Sequence, residues 1–211
     1  PFAKSVANEM GVNNRASILR AEDLSSWLPR VLCEEDEPFT SFRQLSHHKL
    51  YSDFAKDGST VILEASGGDE LGAGYSSYLW TWFLDQVKVD GPALSKEALL
   101  QMADVIGMRD KQLLPFLLGS AANYEQQGMC TSDGIPYLNP EVLIPEFVQT
   151  YGKSTLTYPK PFKSHLRNSQ FIDLMYTKLP RGLRYIERAS MASGREARLP
   201  LLDHRIVELG F

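Results

Sequence analysis

Val61–Ile62–Leu63–Glu64–Ala65–Ser66–Gly67–Gly68–Asp69–Glu70–Leu71–Gly72–Ala73–Gly74–Tyr75 is the stretch on which the fold turns. Val61 to Leu63 reads as a buried strand, Gly67 and Gly68 as a bend, and the residues beyond them as an aromatic helix opened by Asp69 and Glu70. An α/β protein builds a site for a phosphorylated ligand in this way. Glycine frees backbone N–H groups to converge on an anion, and Asp69 or Glu70 can hold the Mg²⁺ that travels with it. Acids at a helix start are also stabilised by the helix dipole without any ligand. The stretch therefore points to nucleotide users without choosing among them. A P-loop is excluded because Asp69–Glu70, and not Lys followed by Ser or Thr, comes after Gly68. The G-x-G-x-x-G dinucleotide fingerprint is absent.

The remaining composition narrows the classes further. With 211 residues, 43% of them hydrophobic, the chain can bury about 70% of its unfolded surface and needs no disulfide or metal to fold. Cys33 and Cys130 have no C-x-x-C or Cys/His ligand spacing and read as thiols of a reducing, cytoplasmic compartment. His47, His48, His165 and His204 form no H-E-x-x-H, so no metal beyond the nucleotide's own is required. The apolar runs near Leu79 to Leu84 and Leu113 to Leu118 fall far short of the ~20 residues that cross a bilayer. A net charge of −4 argues against general nucleic-acid binding. Pro1–Phe2–Ala3–Lys4 lacks an initiator Met and a signal-like stretch, as in an excerpt of a longer chain.

Along the chain, the pattern predicts a helix over Phe2 to Met10, a short strand over Ala16 to Leu19 and a helix from Asp23 through Leu32. Glu34 to Glu37 reads as a solvated acidic turn. A helix over Phe42 to Ala55 then leads into a Thr60 to Leu63 strand. This β, α, β, α alternation is that of a parallel sheet covered by helices. Tyr75, Leu79 and Phe83, beside Trp80 and Trp82, have the spacing of a core stripe. Ser95 can cap a helix through Met102, Gly119 to Pro161 reads as loop, and helices resume over Phe162 to Lys178 and from Pro180.

Between Lys178 and Arg205, Lys178, Arg181, Arg184, Arg188, Arg195, Arg198 and Arg205 face only Glu187, Glu196 and Asp203, seven cations against three acids. Arg181, Arg184 and Arg188 share one helix face. Their counter-ion is a pyrophosphate, which arginine forks suit, or protein carboxylates such as those after Cys33, unless the face is simply solvated with scattered salt bridges. The mixed segment Met191 to Arg205 suggests paired, partly buried ions.

These blocks resemble a known family. Leu179 to Glu208, with Arg195–Glu196–Ala197–Arg198–Leu199–Pro200–Leu201–Leu202–Asp203 at its centre, is similar to the closing block of the synthetase domain of asparagine synthase-like glutamine amidotransferases. Glu37–Pro38–Phe39, followed by Leu63 to Tyr75, resembles its middle block. The resemblance implies an α/β fold of the adenine-nucleotide α-hydrolase type, Rossmann-like, with a parallel sheet and flanking helices and strongly helical in its second half. It makes residues 1–211 a partial ATP-dependent synthetase domain, with 1–90 as its α/β portion and 91–211 mainly helical. ATP would adenylate a carboxylate, and ammonia would attack the acyl adenylate to give an amide. ATP and Mg²⁺ are the implied cofactors. Aspartate is the favoured acceptor, and the ammonia would come from a class II glutaminase domain outside this chain. The oligomeric state stays open, a homodimer included.

By position, the resemblance gives Asp69, with Glu70 beside it, to Mg²⁺-pyrophosphate, and Glu64, Ala65, Ser66, Gly67 and Gly68 to the adenylate. Thr40 and Arg43 match a polar residue and an arginine linked to substrate handling in some members. The family usually reads Ser-Gly-Glu-Gly-Ala-Asp-Glu or Asp-Gly-Gln-Gly-Gly-Asp-Glu here, so Ser66 stands in the Glu/Gln place. A serine hydroxyl cannot serve as the same general base, so the catalytic residue stays unassigned, with Ser66 and Arg43 as candidates by position alone. The upstream Ser-Gly-Gly-x-Asp-Ser loop and the downstream lysine are absent from the chain, which as given is expected not to turn over. Relatives that amidate a sugar acid or close a lactam share these blocks. A degenerate domain that only binds nucleotide or a partner would share them too.

Overall fold

The structure, a computed structural model, describes residues 2–39, 41–90, 100–101, 103–104, 107, 110–125, 128, 136–152 and 156–211. It divides into two compact units, Pro1–Glu64 with Leu183–Arg198, and Ala65–Gly182 with Leu199–Phe211. Thr40, Cys130 and the helix expected from Ser95 to Met102 lie wholly or largely outside the described residues.

In the first unit, α1 (Phe2–Met10) ends at Gly11, whose φ of 66° supplies the left-handed turn that glycine takes without penalty. Helix α2 (Leu24–Glu35) begins after Asp23, and α3 (Arg43–Lys56) packs against it. Ala7, Val31, Leu45, Tyr51, Ile186 and Ala189 form the buried apolar set of this unit among the described residues. Ala16 to Leu19 is not a strand. It has no ladder partner, and Ser17 Oγ instead donates to Asp53 Oδ2 at 2.6 Å.

The sheet is smaller than expected. Strand β1 (Val61–Leu63) pairs in parallel with β2 (Glu196–Arg198), Val61 facing Glu196, Ile62 facing Ala197 and Leu63 facing Arg198. These two strands make up the sheet among the described residues. The chain is thus a mostly helical α/β protein. Val61 and Leu63 are 41% and 70% exposed, so β1 is not the buried strand its composition suggests. Strand β2 escaped prediction because Glu-Ala-Arg carries no apolar alternation; backbone bonds flanking the pair, Glu196 N to Thr60 O at 3.0 Å and Glu64 N to Arg198 O at 2.9 Å, define it instead.

The second unit begins with α4 (Gly68–Leu71), a single turn, followed by α5 (Tyr78–Asp90). The two carboxylates of Asp69 and Glu70 therefore open their own turn and not the aromatic helix, because Gly72 to Ser77 interrupts the two. Leu79, Trp80, Trp82 and Phe83 pack around Leu117 and Ala103, which makes the aromatic stripe core. Helix α6 (Asp110–Glu125) runs through Gly119, and Leu117 buried against α5 outweighs the ~1 kcal/mol that glycine costs in a helix. A further helix, α7 (Pro145–Tyr151), starts on a proline suited to its first turn. Gly119 to Pro161 is thus not all loop. Helix α8 (His165–Met175) packs on α4 and α5. Helix α9 (Lys178–Ala192) contributes its first turn to this unit and its remainder to the first, and α10 (His204–Gly210) closes the chain. Among the described residues, no helix is long and apolar enough to cross a membrane.

Asp85 fixes the start of α8. Its carboxylate accepts from Ser164 Oγ at 2.5 Å, His165 N at 2.7 Å and Leu166 N at 3.0 Å. Burial pushes the carboxyl up, but these three donors prevail and hold it below the usual aspartate value. A lowered folded pKa adds stability above the unfolded value of about 3.9, and that stability disappears as pH falls through the folded value. Asp85→Asn is expected to lose about 1.5–3 kcal/mol at neutral pH. The gap from wild type should shrink as urea unfolding is repeated from pH 6 downward into this acid range. A gap that stays constant would contradict the assignment.

Candidate functional site

Glu64 ends the first segment of the first unit, and Ala65 to Glu70 open the second unit. The bend itself is built by Gly67, whose φ of 95° is in the left-handed region. A Cβ there would also lie 2.2 Å from Leu202 Cδ2, and one at Gly68 would lie 3.0 Å from Leu201 Cδ1. The Leu201–Leu202 floor and the two glycines thus fit each other. Ala65 is exposed and Ser66 half-buried.

The two acids after the bend have different fates. Asp69 is exposed, and its Oδ1 occupies the space beside Gly74, where a Cβ would lie 2.2 Å from it. Glu70 is 3% exposed and accepts a hydrogen bond from Tyr75 Oη at 2.9 Å. Burial first, then the Glu70 hydrogen bond and charge, raise the Tyr75 hydroxyl above the usual tyrosine value and keep it a donor. Lys178, itself buried, sets its Nζ 3.6 Å from the Tyr75 ring centroid. Burial and the adjacent Asp173 likewise raise the Tyr78 hydroxyl. Glu70 therefore belongs to an internal polar network, while Asp69 presents its carboxylate outward.

A Mg²⁺ ion that keeps its waters and binds phosphate needs only one or two protein carboxylates. Asp69 fits that requirement as it stands. Among the described residues there is no cluster of three or more His, Cys, Asp or Glu side chains able to cage a metal.

In the first unit, Glu64 accepts a hydrogen bond from Tyr51 Oη, whose hydroxyl is raised by burial and then by this carboxylate. Arg43, His47 and Tyr51 follow one another at i, i+4 and i+8 along α3 and so share a face. His47 is pushed down by burial and then by the Arg43 charge, against the opposing pull of Glu64. Its Nδ1 is buried without a hydrogen-bond partner. Arg43 is exposed at the start of α3. The α3 spacing was visible in the sequence, but no pattern linked it to Glu64.

Two of the three arginines of that face, Arg184 and Arg188, are matched by protein carboxylates. Arg184 Nη1 lies 2.8 Å from Glu37 Oε1 and 3.4 Å from Glu35 Oε2, and Arg188 Nη1 lies 2.6 Å from Asp36 Oδ2. Of the two counter-ions left open by the sequence, the acids after Cys33 are present. The expected solvated turn holds only for Asp36 and Glu37, which are 72% and 52% exposed, since Glu34 and Glu35 complete α2 and Glu35 is fully buried. The pairs Arg198–Glu196 and Arg205–Asp203 form at 2.8 Å, but Arg198 and Glu196 are each 60% exposed. These two pairs are thus largely exposed, while Arg195 in the same segment is half-buried, with its Nε buried and without a hydrogen-bond partner. Arg205 still holds Asp203 down at about 2.

The fold and the bend define a helix-rich α/β protein in which a glycine turn presents one acid and buries the next. The asparagine synthase family model matches residues 1–211, and the chain belongs to that family. It is also similar to "Asparagine synthetase [glutamine-hydrolyzing] 1" of Bacillus subtilis (strain 168), with 25% identity over 217 residues, covering 98% of this chain and 33% of the relative. The chain thus spans about a third of that relative's length. No solved structure matches it significantly.

Proposed function

We propose that this chain is part of the ATP-dependent synthetase domain of an amide-forming ligase, with aspartate as the acceptor. The observation that carries this is Asp69, an exposed carboxylate on a glycine-built turn, in a chain that matches the asparagine synthase family throughout. Asp69 takes the Mg²⁺-pyrophosphate portion of ATP, and the backbone of Ala65 to Gly68 lies along the nucleotide. The acceptor carboxylate oxygen attacks the α-phosphorus and pyrophosphate leaves. Ammonia then displaces AMP and loses a proton to give the amide. That ammonia comes from glutamine, as the name of the Bacillus relative suggests.

Ser66 cannot accept the proton that an acid at its position would take. This favours a second reading, in which the domain binds nucleotide or a partner without turnover. One experiment separates the two. The intact protein is given ATP, Mg²⁺, labelled pyrophosphate and, in turn, aspartate, a sugar acid and a β-amino acid lactam precursor. Exchange of label into ATP that requires aspartate supports the ligase, exchange with another acid moves it to a related acceptor, and no exchange with any acid leaves the binding reading.

A further inference from the structure

A four-residue helix cannot hold itself, because nucleation costs more than its few internal bonds return. The carbonyls of α4 are nonetheless all satisfied. Gly67 O accepts from Leu71 N at 3.0 Å, Gly68 O from Gly72 N at 2.8 Å and Asp69 O from Gly74 N at 2.9 Å. The last two carbonyls depend on a side chain 99 and 100 positions away. Gln170 Nε2 donates to Glu70 O and Leu71 O, each at 2.9 Å. Gln170 is only 6% exposed on α8, so these bonds are shielded from water and their loss would leave two carbonyls at the end of the turn without a donor. Tyr75 holds the Glu70 side chain from the same side of the sequence, and Gly74 leaves room for the Asp69 carboxylate.

We propose that Gln170 is a positioning residue for Asp69, its amide capping the turn whose exposed carboxylate receives the metal-bound pyrophosphate. The proposal rests on the nucleotide role given to Asp69 above. Gln170 itself touches no substrate. An outer group that orients a metal ligand is commonly worth 10–100-fold in metal affinity, and Gln170 should fall near the lower end because it acts through the backbone.

The test is Mn²⁺ binding in the presence of pyrophosphate, followed by the paramagnetic signal of free Mn²⁺, on the intact wild type and on Gln170→Met, Gly74→Ala and Asp69→Asn. Gln170→Met keeps the volume and removes both N–H donors. Gly74→Ala disturbs the same carboxylate from the opposite direction and guards against misfolding of the first variant. Thermal unfolding of each variant is recorded alongside. The expected result is strong Mn²⁺ binding by wild type, loss in Asp69→Asn and a weakening of about tenfold in both Gln170→Met and Gly74→Ala, without loss of the folded state. In steady-state turnover the Gln170→Met change should fall on the KM for metal–ATP and leave kcat within about threefold, whereas a merely structural role would lower the folded fraction and kcat alone. Wild-type affinity in Gln170→Met, together with loss in Asp69→Asn, would overturn the positioning role and leave the nucleotide role intact. Failure of wild type to bind, or wild-type affinity in Asp69→Asn, would overturn both.

Discussion

His48→Leu is expected to destabilise the protein by about 1–3 kcal/mol or more, the cost of leaving a buried polar group without its hydrogen-bond partner. The imidazole is 1% exposed and lies between two carboxylates, Nδ1 at 2.8 Å from Glu34 Oε2 and Nε2 at 2.8 Å from Glu35 Oε1. Without it, the fully buried Glu35 keeps the Arg184 guanidinium at 3.4 Å, too long for a strong charge-assisted bond. Glu34 is less exposed to the change because Arg30 Nε also binds it at 2.8 Å. The penalty comes from the stranded carboxylate, so adding Glu35→Leu should return most of the loss. Urea unfolding of the two single variants and the double variant measures the coupling. A His48→Leu loss below about 0.5 kcal/mol, the scale of an ordinary surface change, or simple additivity in the double variant, would show that the cluster does not hold α2 against α3.

That cluster also shows where sequence reading stops. Helix α3 was legible to within a residue at each end, because its apolar positions recur at helical spacing and Gly58 follows it. The same is true of the Val61 to Leu63 strand. The fate of the acids was not legible. Glu34 to Glu37 has the composition of a solvated turn, and only the approach of His48 and Arg184, from 13 and 149 positions beyond Glu35, makes Glu35 interior. In the same way Asp69 and Glu70 read as an equivalent pair. What separates them is the Tyr75 hydroxyl, which holds the buried Glu70 side chain, while Asp69, beside Gly74, stays exposed. Gln170 lies in a helix with nothing in its composition to mark it. The sequence also overstated the sheet, since its first third alternates strand and helix signals while only β1 and the charged β2 form a ladder among the described residues.

The second large effect is expected at the exposed acid. Asp69→Asn should lower amide formation by the intact protein by about 10²-fold or more, since an amide of the same size cannot neutralise a metal ion or balance the charge of its pyrophosphate. Stability should change by less than about 0.5 kcal/mol, the usual range for a surface position. Wild-type protein at 100 times the Kd of metal–pyrophosphate should gain about 2.7 kcal/mol against unfolding, and Asp69→Asn should lose most of that gain. Glu70→Gln should behave differently. The Tyr75 hydroxyl still finds an acceptor in the amide oxygen, but an NH₂ group now enters a site built for a buried carboxylate, so the loss should appear in thermal stability as well as in turnover.

The central claim, that this chain belongs to a machine for activating a carboxylate with ATP, is tested most directly by exchange of labelled pyrophosphate into ATP by the intact protein, measured with and without aspartate. Exchange that needs both Mg²⁺ and aspartate, and that falls about 10²-fold in Asp69→Asn, is the predicted result. Absence of exchange with every carboxylate offered, or exchange untouched by Asp69→Asn, would contradict it.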